Sequence, residues 1–290
     1  MLRCSYIILI HNNEQNIVKL IESLKQIEGN FRKEFIFIDD GSSDDSLNVL
    51  KNAVNDIPRT TIITQKVQGS TISINKAISL VTGEYVHFVE GNEILHPDST
   101  AILMDACLKL GTDVAVGLIS NKKFSQETIK NNIDSRIISD SIDEIFNRKI
   151  LSLQHIGKSG SMVHAQLLDK INKVDNSVYT HNMSLSLRCA KYSKFAFINN
   201  YISSQPIDYS NHDQKFNAYN NLKSIYNFAK DNEEIFAEKI AALLKMLSIE
   251  TINKTNKIKY LIMYLISKYI KSYSLKRVLS LYKIELEKLF

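Results

Sequence analysis

Hydrophobic and polar positions alternate along the first 120 residues in blocks of strand length and helix length. Between the strand-length runs, apolar residues recur three and four positions apart, which is the spacing of amphipathic helices. Strands that alternate with helices in this way require right-handed crossovers. The pattern therefore predicts an α/β fold with a mostly parallel, doubly wound sheet. The apolar or β-branched runs lie at residues 5–10, 35–38, 60–64, 85–89 and 113–118.

This alternation weakens after residue 120, where the chain becomes more polar. One further helix is predicted near residues 142–150, and beyond residue 210 the spacing is helical to the end. The pattern therefore divides the chain near residue 120 and again near residue 210. A helical C-terminal region is predicted over residues 213–290.

Composition is that of a globular protein and bounds its class. The chain has 290 residues, 44% of them hydrophobic, which is enough for one large domain or two ordinary ones. Met1 runs almost directly into the first predicted strand with no signal peptide, so we expect a cytoplasmic protein. The cysteines lie far apart without a CxxC pair, which indicates small core residues and neither disulfides nor a zinc site. They are Cys4, Cys107 and Cys189.

The positive charge is concentrated at the C-terminus. Nine lysine or arginine residues and two glutamates lie in residues 254–290, a net charge of +7. The rest of the chain is slightly acidic, because the total is only +5. A nucleic-acid-binding domain would carry its positive charge across a folded face, so we expect no nucleic acid partner.

The basic C-terminal region has apolar residues at helical spacing with lysines beside them. Its longest charge-free run, residues 260–267, is far shorter than the roughly 20 apolar residues that span a bilayer. A basic amphipathic helix suits the surface of an anionic membrane. The alternative is a helix that packs on the domain core or on a second subunit, which would make the protein an oligomer.

Candidate chemistry lies at the ends of the predicted strands. The second strand ends in two adjacent carboxylates, Asp39 and Asp40, in the stretch EFIFIDDGSSDDS. Loops at the carboxyl ends of parallel strands converge on one crevice, so these side chains are available to a ligand. Asp, Gly and Ser also form turns and helix caps, but two carboxylates together favour a binding site.

Several enzyme classes lack their markers. No glycine-rich turn follows the first strand, so neither a dinucleotide fingerprint nor a phosphate loop is present. The absence of that loop also argues against a nucleotidyltransferase. Neither a GxSxG elbow nor an HExxH motif occurs.

Taken together, three stretches resemble the family-2 glycosyltransferases with the GT-A fold: SYIILIHNNEQNI, FIFIDDGSSDDS and QGSTISINKAISLVTGEYVHFVEGNEILHP. The resemblance is close over residues 3–120 and looser to about residue 212. It implies a nucleotide-binding half at 1–120 and an acceptor half at 121–212. The implied reaction transfers a sugar, with inversion, from a nucleotide-diphosphate sugar, expected to be UDP-linked, to an acceptor hydroxyl on a surface glycan or lipid-linked glycan.

The resemblance also implies the donor site. EGN stands where the family has its metal-binding DxD motif, which loses one formal negative charge that Glu93 can restore. Mn²⁺ or Mg²⁺ would be held there by oxygen ligands. The implied metal ligands are Glu90, Asn92 and Glu93. The implied nucleotide-sugar-binding residues are His11, Asn12, Asp39, Asp40, Gly69, Asn75 and Gly91.

The implied catalytic base departs from the family pattern. Family members carry an acidic pair whose Asp deprotonates the acceptor, and His181-Asn182 stands at that position here. Asn182 cannot take a proton, whereas His181 can, and Asp175 is a second candidate. These departures leave an alternative open, in which the protein is a catalytically silent relative that binds or scaffolds an active transferase. An active enzyme would work in the cytoplasm, at the inner face of the membrane.

Overall fold

The structure, a computed structural model, describes residues 1–120, 135–138, 156–204, 220–221, 223–225 and 227–228. One compact unit comprises Met1–Asp140 and Leu153–Asp208, and a second comprises Ser141–Ser152 and Tyr209–Phe290. The described residues of the second unit, all between 220 and 228, are helical. The predicted boundary at residue 212, the predicted helix near 142–150 and the basic C-terminal helix lie outside the described residues and stay predictions.

The strands and helices of the first unit follow the predicted alternation. The strands are β1 (Arg3–Ile10), β2 (Arg32–Asp40), β3 (Thr60–Gln65), β4 (Tyr85–Glu90), β5 (Ile94–Leu95), β6 (Val114–Ser120), β7 (Ser135–Ile138), β8 (Ser161–His164) and β9 (Phe195–Ser204). The described helices are α1 (Ile17–Lys25), α2 (Ser46–Ala53), α3 (Ser70–Ile78), α4 (Ser99–Leu110), α5 (Ala165–Lys170) and α6 (Asn182–Tyr192).

These strands form one mixed sheet in the order β3-β2-β1-β4-β8-β6-β9-β5, with β7 paired to β9. The α/β prediction is confirmed, and β1 to β4 pair in parallel as expected. In the other half β6 and β9 also pair in parallel, as expected, but short antiparallel strands make the sheet mixed. β8 lies antiparallel between β4 and β6, and β5 and β7 run antiparallel to β9.

The core lies on both faces of the sheet. The central strand β1 is buried almost throughout and reads as a continuous apolar run, as expected for a parallel strand covered on both faces. Helices α1 and α4 bury apolar residues in one cluster with Tyr6 and Phe37. Helix α3 packs on β1 and β2 with buried residues outside that cluster, so it covers the other face. All three cysteines are buried and free, as predicted.

None of the helices in the described part of the chain is long and apolar enough to cross a bilayer.

Candidate functional site

The carboxyl ends of three neighbouring strands bring the predicted donor-site residues together. β1 pairs in parallel with β2 and with β4, with Ile10 opposite Asp39 and Leu9 opposite Glu90. His11, Asp40 and Glu90 therefore lie along one edge of the sheet. This edge is the crevice in which open α/β sheets bind ligands.

The loops after β1 and β2 hold each other by reciprocal hydrogen bonds. The Asn12 backbone N–H donates to Ser42 Oγ at 3.0 Å, and the Ser43 backbone N–H donates to Asn12 Oδ1 at 2.8 Å. The Asn13 backbone N–H donates to Ser46 Oγ at 2.7 Å. The predicted donor ligand Asn12 thus uses its carbonyl oxygen to fix the shape of the turn after β2.

His11 is exposed and lies beside this turn. Its Nδ1 is 3.0 Å from the backbone carbonyl oxygen of Asp40. A carbonyl oxygen can only accept, so Nδ1 carries the proton and donates. The bond holds the imidazole ring at the Asp40 end of β2, beside another residue that was predicted to bind the nucleotide sugar.

Asp39 and Asp40 are both buried, but their carboxylates accept hydrogen bonds from different groups. Asp39 Oδ1 accepts from the Ser42 backbone N–H at 3.3 Å, which closes the turn. Asp40 Oδ1 accepts from Gln65 Nε2 at 2.8 Å and from the Gln68 backbone N–H at 3.3 Å. Asp40 Oδ2 receives no hydrogen bond from the described residues, so it can accept one from a ligand.

The loop after β4 reaches the same edge through a glycine. A Cβ at Gly91 would lie 2.3 Å from Asn13 Oδ1, so no larger residue lets this loop approach the β1 loop so closely. The Glu90 backbone N–H donates to Ser159 Oγ at 3.1 Å. Gly91 therefore has a packing role that brings Glu90 to the crevice.

The predicted metal ligands do not all face the crevice. Glu93 is fully buried and accepts a hydrogen bond from Ser203 Oγ at 2.9 Å, on β9. Glu90 and Asn92 are half-buried. Among the residues that the structure describes, no group of three or more His, Cys, Asp or Glu side chains could hold a metal ion.

The segment before α6 is bound to α3 rather than left as a free loop. Asn75 Nδ2 donates to the Val174 carbonyl at 2.7 Å, and Asn75 Oδ1 accepts from the Val174 N–H at 2.9 Å. Thr71 Oγ1 donates to the Val178 carbonyl at 2.5 Å. Asn75, predicted to bind the donor, is thus occupied with the backbone of residue 174.

Gly69 makes room for an aromatic ring that the sequence did not single out. A Cβ at Gly69, where φ is +96°, would lie 2.8 Å from the ring of Tyr179. The ring is 41% exposed, and both burial and the charge of Asp40 raise the pKa of its phenol. Gly69 follows Gln68, whose backbone N–H donates to Asp40 Oδ1, so the ring lies close to the end of β2.

His181 has both ring nitrogens engaged. Nε2 is 2.7 Å from the Gly157 carbonyl oxygen, to which it must donate, and Nδ1 is 2.8 Å from Ser70 Oγ. Burial lowers the pKa of His181 to about 4. The ring can reach an acceptor hydroxyl only if it releases Ser70, and its assignment as the base stays a prediction.

The second candidate for the base, Asp175, is half-buried. Asp175 Oδ1 accepts from the Ser177 backbone N–H at 2.8 Å, and the Asp175 backbone N–H donates to Ser184 Oγ at 3.2 Å. Asn182 Oδ1 is buried and has no hydrogen-bond partner in the described part of the chain. Asp175 thus closes its own turn, at the Asn75 side of α3.

A second buried histidine supports the same region from inside the core. His87 Nε2 donates to the Ser159 carbonyl at 2.8 Å, and His87 Nδ1 is 3.0 Å from Thr100 Oγ1. Burial lowers the pKa of His87 to about 4. His87 and His181 thus bind two carbonyls of the loop 156–161, which in turn contacts the Glu90 backbone.

Comparison with known proteins agrees with this geometry. Residues 5–171 match the family model described as "Glycosyl transferase family 2". The chain is 33% identical over 82 residues to the uncharacterized glycosyltransferase YibD of Escherichia coli K12, which is 28% of this chain and 24% of YibD. It is 30% identical over 118 residues to the Escherichia coli chondroitin synthase, which is 40% of this chain and 17% of the synthase. The aligned segments thus span a quarter or less of these relatives.

Solved structures resemble the whole fold. Residues 1–349 of S. aureus TarS superpose with a TM-score of 0.68 at 13% identity, covering 96% of this chain and 89% of that one. The same part of TarS has also been solved in complex with UDP-GlcNAc and with UDP. At this identity the likeness establishes the fold, and it confirms the predicted GT-A architecture.

Proposed function

Because the chain belongs to glycosyl transferase family 2, we propose that it transfers a sugar from a UDP-linked donor to an acceptor hydroxyl, with inversion at the sugar. The observation that carries the proposal is Asp40, a buried carboxylate with one oxygen left for a ligand at the edge where β1, β2 and β4 end. A carboxylate in that position can accept the imide N–H of a uracil. The exposed ring of His11 beside it offers a surface for the base.

The choice of donor and acceptor is supported by the related proteins. TarS has been solved with UDP-GlcNAc and with UDP, which supports a UDP-sugar here. A chondroitin synthase among the relatives supports a polysaccharide product. We propose a growing surface glycan or a lipid-linked glycan as the acceptor, reached in the cytoplasm at the inner face of the membrane.

A divalent cation, Mn²⁺ or Mg²⁺, would neutralise the leaving diphosphate. Glu90 and Asn92 would hold it through oxygen ligands, which suit both ions. Two protein ligands are enough for Mg²⁺, because it commonly binds through one or two carboxylates plus the phosphates of the substrate. Glu93 is excluded from this set because its carboxylate is buried against Ser203.

Proton removal from the acceptor is assigned to Asp175 or His181. Asp175 is a half-buried carboxylate, so it needs less rearrangement than a fully enclosed ring. His181 would have to open its bond to Ser70 and work with a pKa that burial lowers to about 4. Because the His181 ring is buried and hydrogen-bonded at both nitrogens, Asp175 is the better candidate.

A second function is favoured by the same histidine. Because His181 is engaged at both ring nitrogens and Asn182 cannot accept a proton, the position at which the family keeps its base supports structure here. A protein that keeps the donor pocket without the base would bind nucleotide sugars without transferring them. It would then act as a binding or scaffolding partner of an active transferase.

Thermal unfolding with UDP, GDP, CDP and UMP, each with and without Mn²⁺, tests the donor site without an acceptor. A ligand that binds only the folded state stabilises it by about 2.7 kcal/mol at roughly 100 times Kd. We expect UDP with Mn²⁺ to raise Tm by about 5 °C or more. No shift with any nucleotide would remove the donor-site assignment.

Hydrolysis of UDP-sugars by the wild type and by the Asp175→Asn and His181→Asn variants then separates the two functions. Slow release of UDP that one substitution abolishes would identify the active transferase and its base. UDP-sugar binding without any release of UDP, in the wild type as in the variants, would favour the silent relative.

A further inference from the structure

Tyr179 is an exposed aromatic ring on the segment that the second half of the domain contributes to the donor crevice. The ring lies against Gly69, at the start of α3, and the backbone N–H of the preceding residue, Gln68, donates to Asp40 Oδ1 at 3.3 Å. It is 41% exposed although its neighbours Val178 and His181 are buried. The ring therefore lies near the Asp40 end of β2 and is partly exposed to solvent.

The backbone fixes the position of this ring. The Tyr179 carbonyl accepts from the Thr71 N–H at 3.4 Å and from Ser70 Oγ at 3.2 Å. Any side chain at Gly69 would collide with the ring, because a Cβ there would lie 2.8 Å away. The start of α3 thus packs against an aromatic residue that lies more than a hundred positions later in the chain.

A second exposed apolar side chain, on the loop after β3, lies next to the turn that follows Asp40. Val67 is 52% exposed, and its Cγ2 would lie 2.9 Å from a Cβ at Gly41, the residue after Asp40. Single exposed apolar side chains are common on protein surfaces. Val67 and Tyr179, however, each contact a glycine close to Asp40: Gly41 follows Asp40 directly, and Gly69 follows Gln68, whose N–H binds Asp40.

We propose that Tyr179 binds the nucleobase of the donor by stacking, while Asp40 accepts a hydrogen bond from the edge of the base. This inference rests on the proposed function, since it requires a nucleotide at Asp40. A base that pairs with a carboxylate through its edge leaves its two faces for contact with neighbouring groups. Aromatic rings stack on such faces whatever the identity of the base.

The sequence offers a clean spectroscopic test because it contains no tryptophan. Tyr179→Trp introduces a single indole, whose emission is followed while UMP is added. Tyr192→Trp is the matched control, because Tyr192 is also 41% exposed but lies at the end of α6. We expect saturable quenching by UMP in the first variant and none in the second. Ribose 5-phosphate, which has no base, should quench neither.

Calorimetric titration with UMP measures how much the Tyr179 ring contributes to UMP affinity. Tyr179→Ala should weaken UMP binding about tenfold, and Tyr179→Phe should bind within a factor of about two of the wild type, because the ring is kept. Unliganded Tm values check that the variants are folded.

The outcomes are distinguishable. Equal UMP affinity in the wild type and in a folded Tyr179→Ala variant would overturn the role of Tyr179 and leave the donor site standing. Failure of the wild type to bind UMP or UDP would overturn both this inference and the proposed function.

Discussion

The Asp40 carboxylate has an unequal hydrogen-bond environment at its two oxygens. Oδ1 accepts from Gln65 and from the Gln68 backbone, whereas Oδ2 receives nothing from the described residues. The turn-closing role that carboxylates often have after a strand belongs to its neighbour Asp39. Asp40 Oδ2 is therefore the oxygen that can accept a hydrogen bond from a ligand.

We expect Asp40→Asn to weaken UDP binding by at least tenfold, because a hydrogen bond to a charged acceptor contributes about 1.5–3 kcal/mol. Titration calorimetry of the wild type and the variant checks this. Asp105→Asn is the control, because Asp105 pairs with Lys109 on the surface of α4. Unchanged UDP affinity in a folded Asp40→Asn variant would contradict the assignment.

Single residues were the hardest to assign from the sequence. Spacing shows that Glu93 follows a strand, but not that it faces Ser203, which is 110 positions away. His181 looked like an available base because a titratable ring in a polar loop carries no local sign of burial. Tyr179 was missed for the converse reason, since a lone aromatic residue in a loop has no periodic pattern.

At the level of elements, the loop 156–161 depends on two buried, neutral histidines. Each donates from Nε2 to a loop carbonyl, His87 to Ser159 and His181 to Gly157. The carbonyl can only accept, and the opposite nitrogen of each ring faces a hydroxyl. Protonating either ring would place a charge in an apolar interior.

We therefore expect the free energy of unfolding to decrease as pH falls from 6.5 towards 4. The unfolded state takes up protons near 6.5, whereas burial lowers the folded-state pKa of both rings to about 4, so the unfolded state binds more protons in this range. The stabilisation is complete above pH 6.5 and amounts to about 3 kcal/mol per histidine. Urea denaturation between pH 7.5 and 4.5 measures it.

His87→Gln should reduce this pH dependence, because glutamine keeps a donor for the Ser159 carbonyl but does not titrate. His11→Gln, which replaces an exposed ring, should leave most of the pH dependence of the unfolding free energy unchanged. A wild-type stability that is flat between pH 7 and 5 would show that the rings are not held neutral.

The elements themselves were largely predictable. Long parallel strands and amphipathic helices such as α1 and α4 leave a repeating pattern, and their positions were found from it. The place of β8 was not, because four residues carry no periodic signal and its two partners, β4 and β6, are distant in the sequence. The short strands β5 and β7 also pair antiparallel, with β9, so the mixed sheet comes from short strands whose pairing depends on tertiary context.

At the scale of the whole molecule, charge is distributed unevenly. The last 37 residues carry a net charge of +7 and the remainder is slightly acidic. A basic segment is attracted to anionic lipid by about 1 kcal/mol per lysine near the surface, and salt screens the attraction. We expect the full chain to sediment with anionic vesicles at low salt and to be released from them at high salt. It should not sediment with neutral vesicles.

A variant with Lys254→Gln, Lys257→Gln and Lys259→Gln should lose on the order of 3 kcal/mol of this attraction. The matched control carries Lys19→Gln, Lys51→Gln and Lys76→Gln, which neutralises three exposed lysines of the first unit. Equal loss of vesicle binding in both triple variants would show that the C-terminal segment has no special role.

The packing of Tyr179 against Gly69 has a consequence for how the chain folds. The hydrogen bonds between the start of α3 and residues 178–181 join residues 107 to 111 positions apart. Closing so long a loop costs entropy before its contacts stabilise anything, so such contacts form slowly. Individual helices and the β1–β2 pair can form earlier, through shorter closures. We therefore expect the contacts between Gly69 and Tyr179 to form after the secondary structure of the chain.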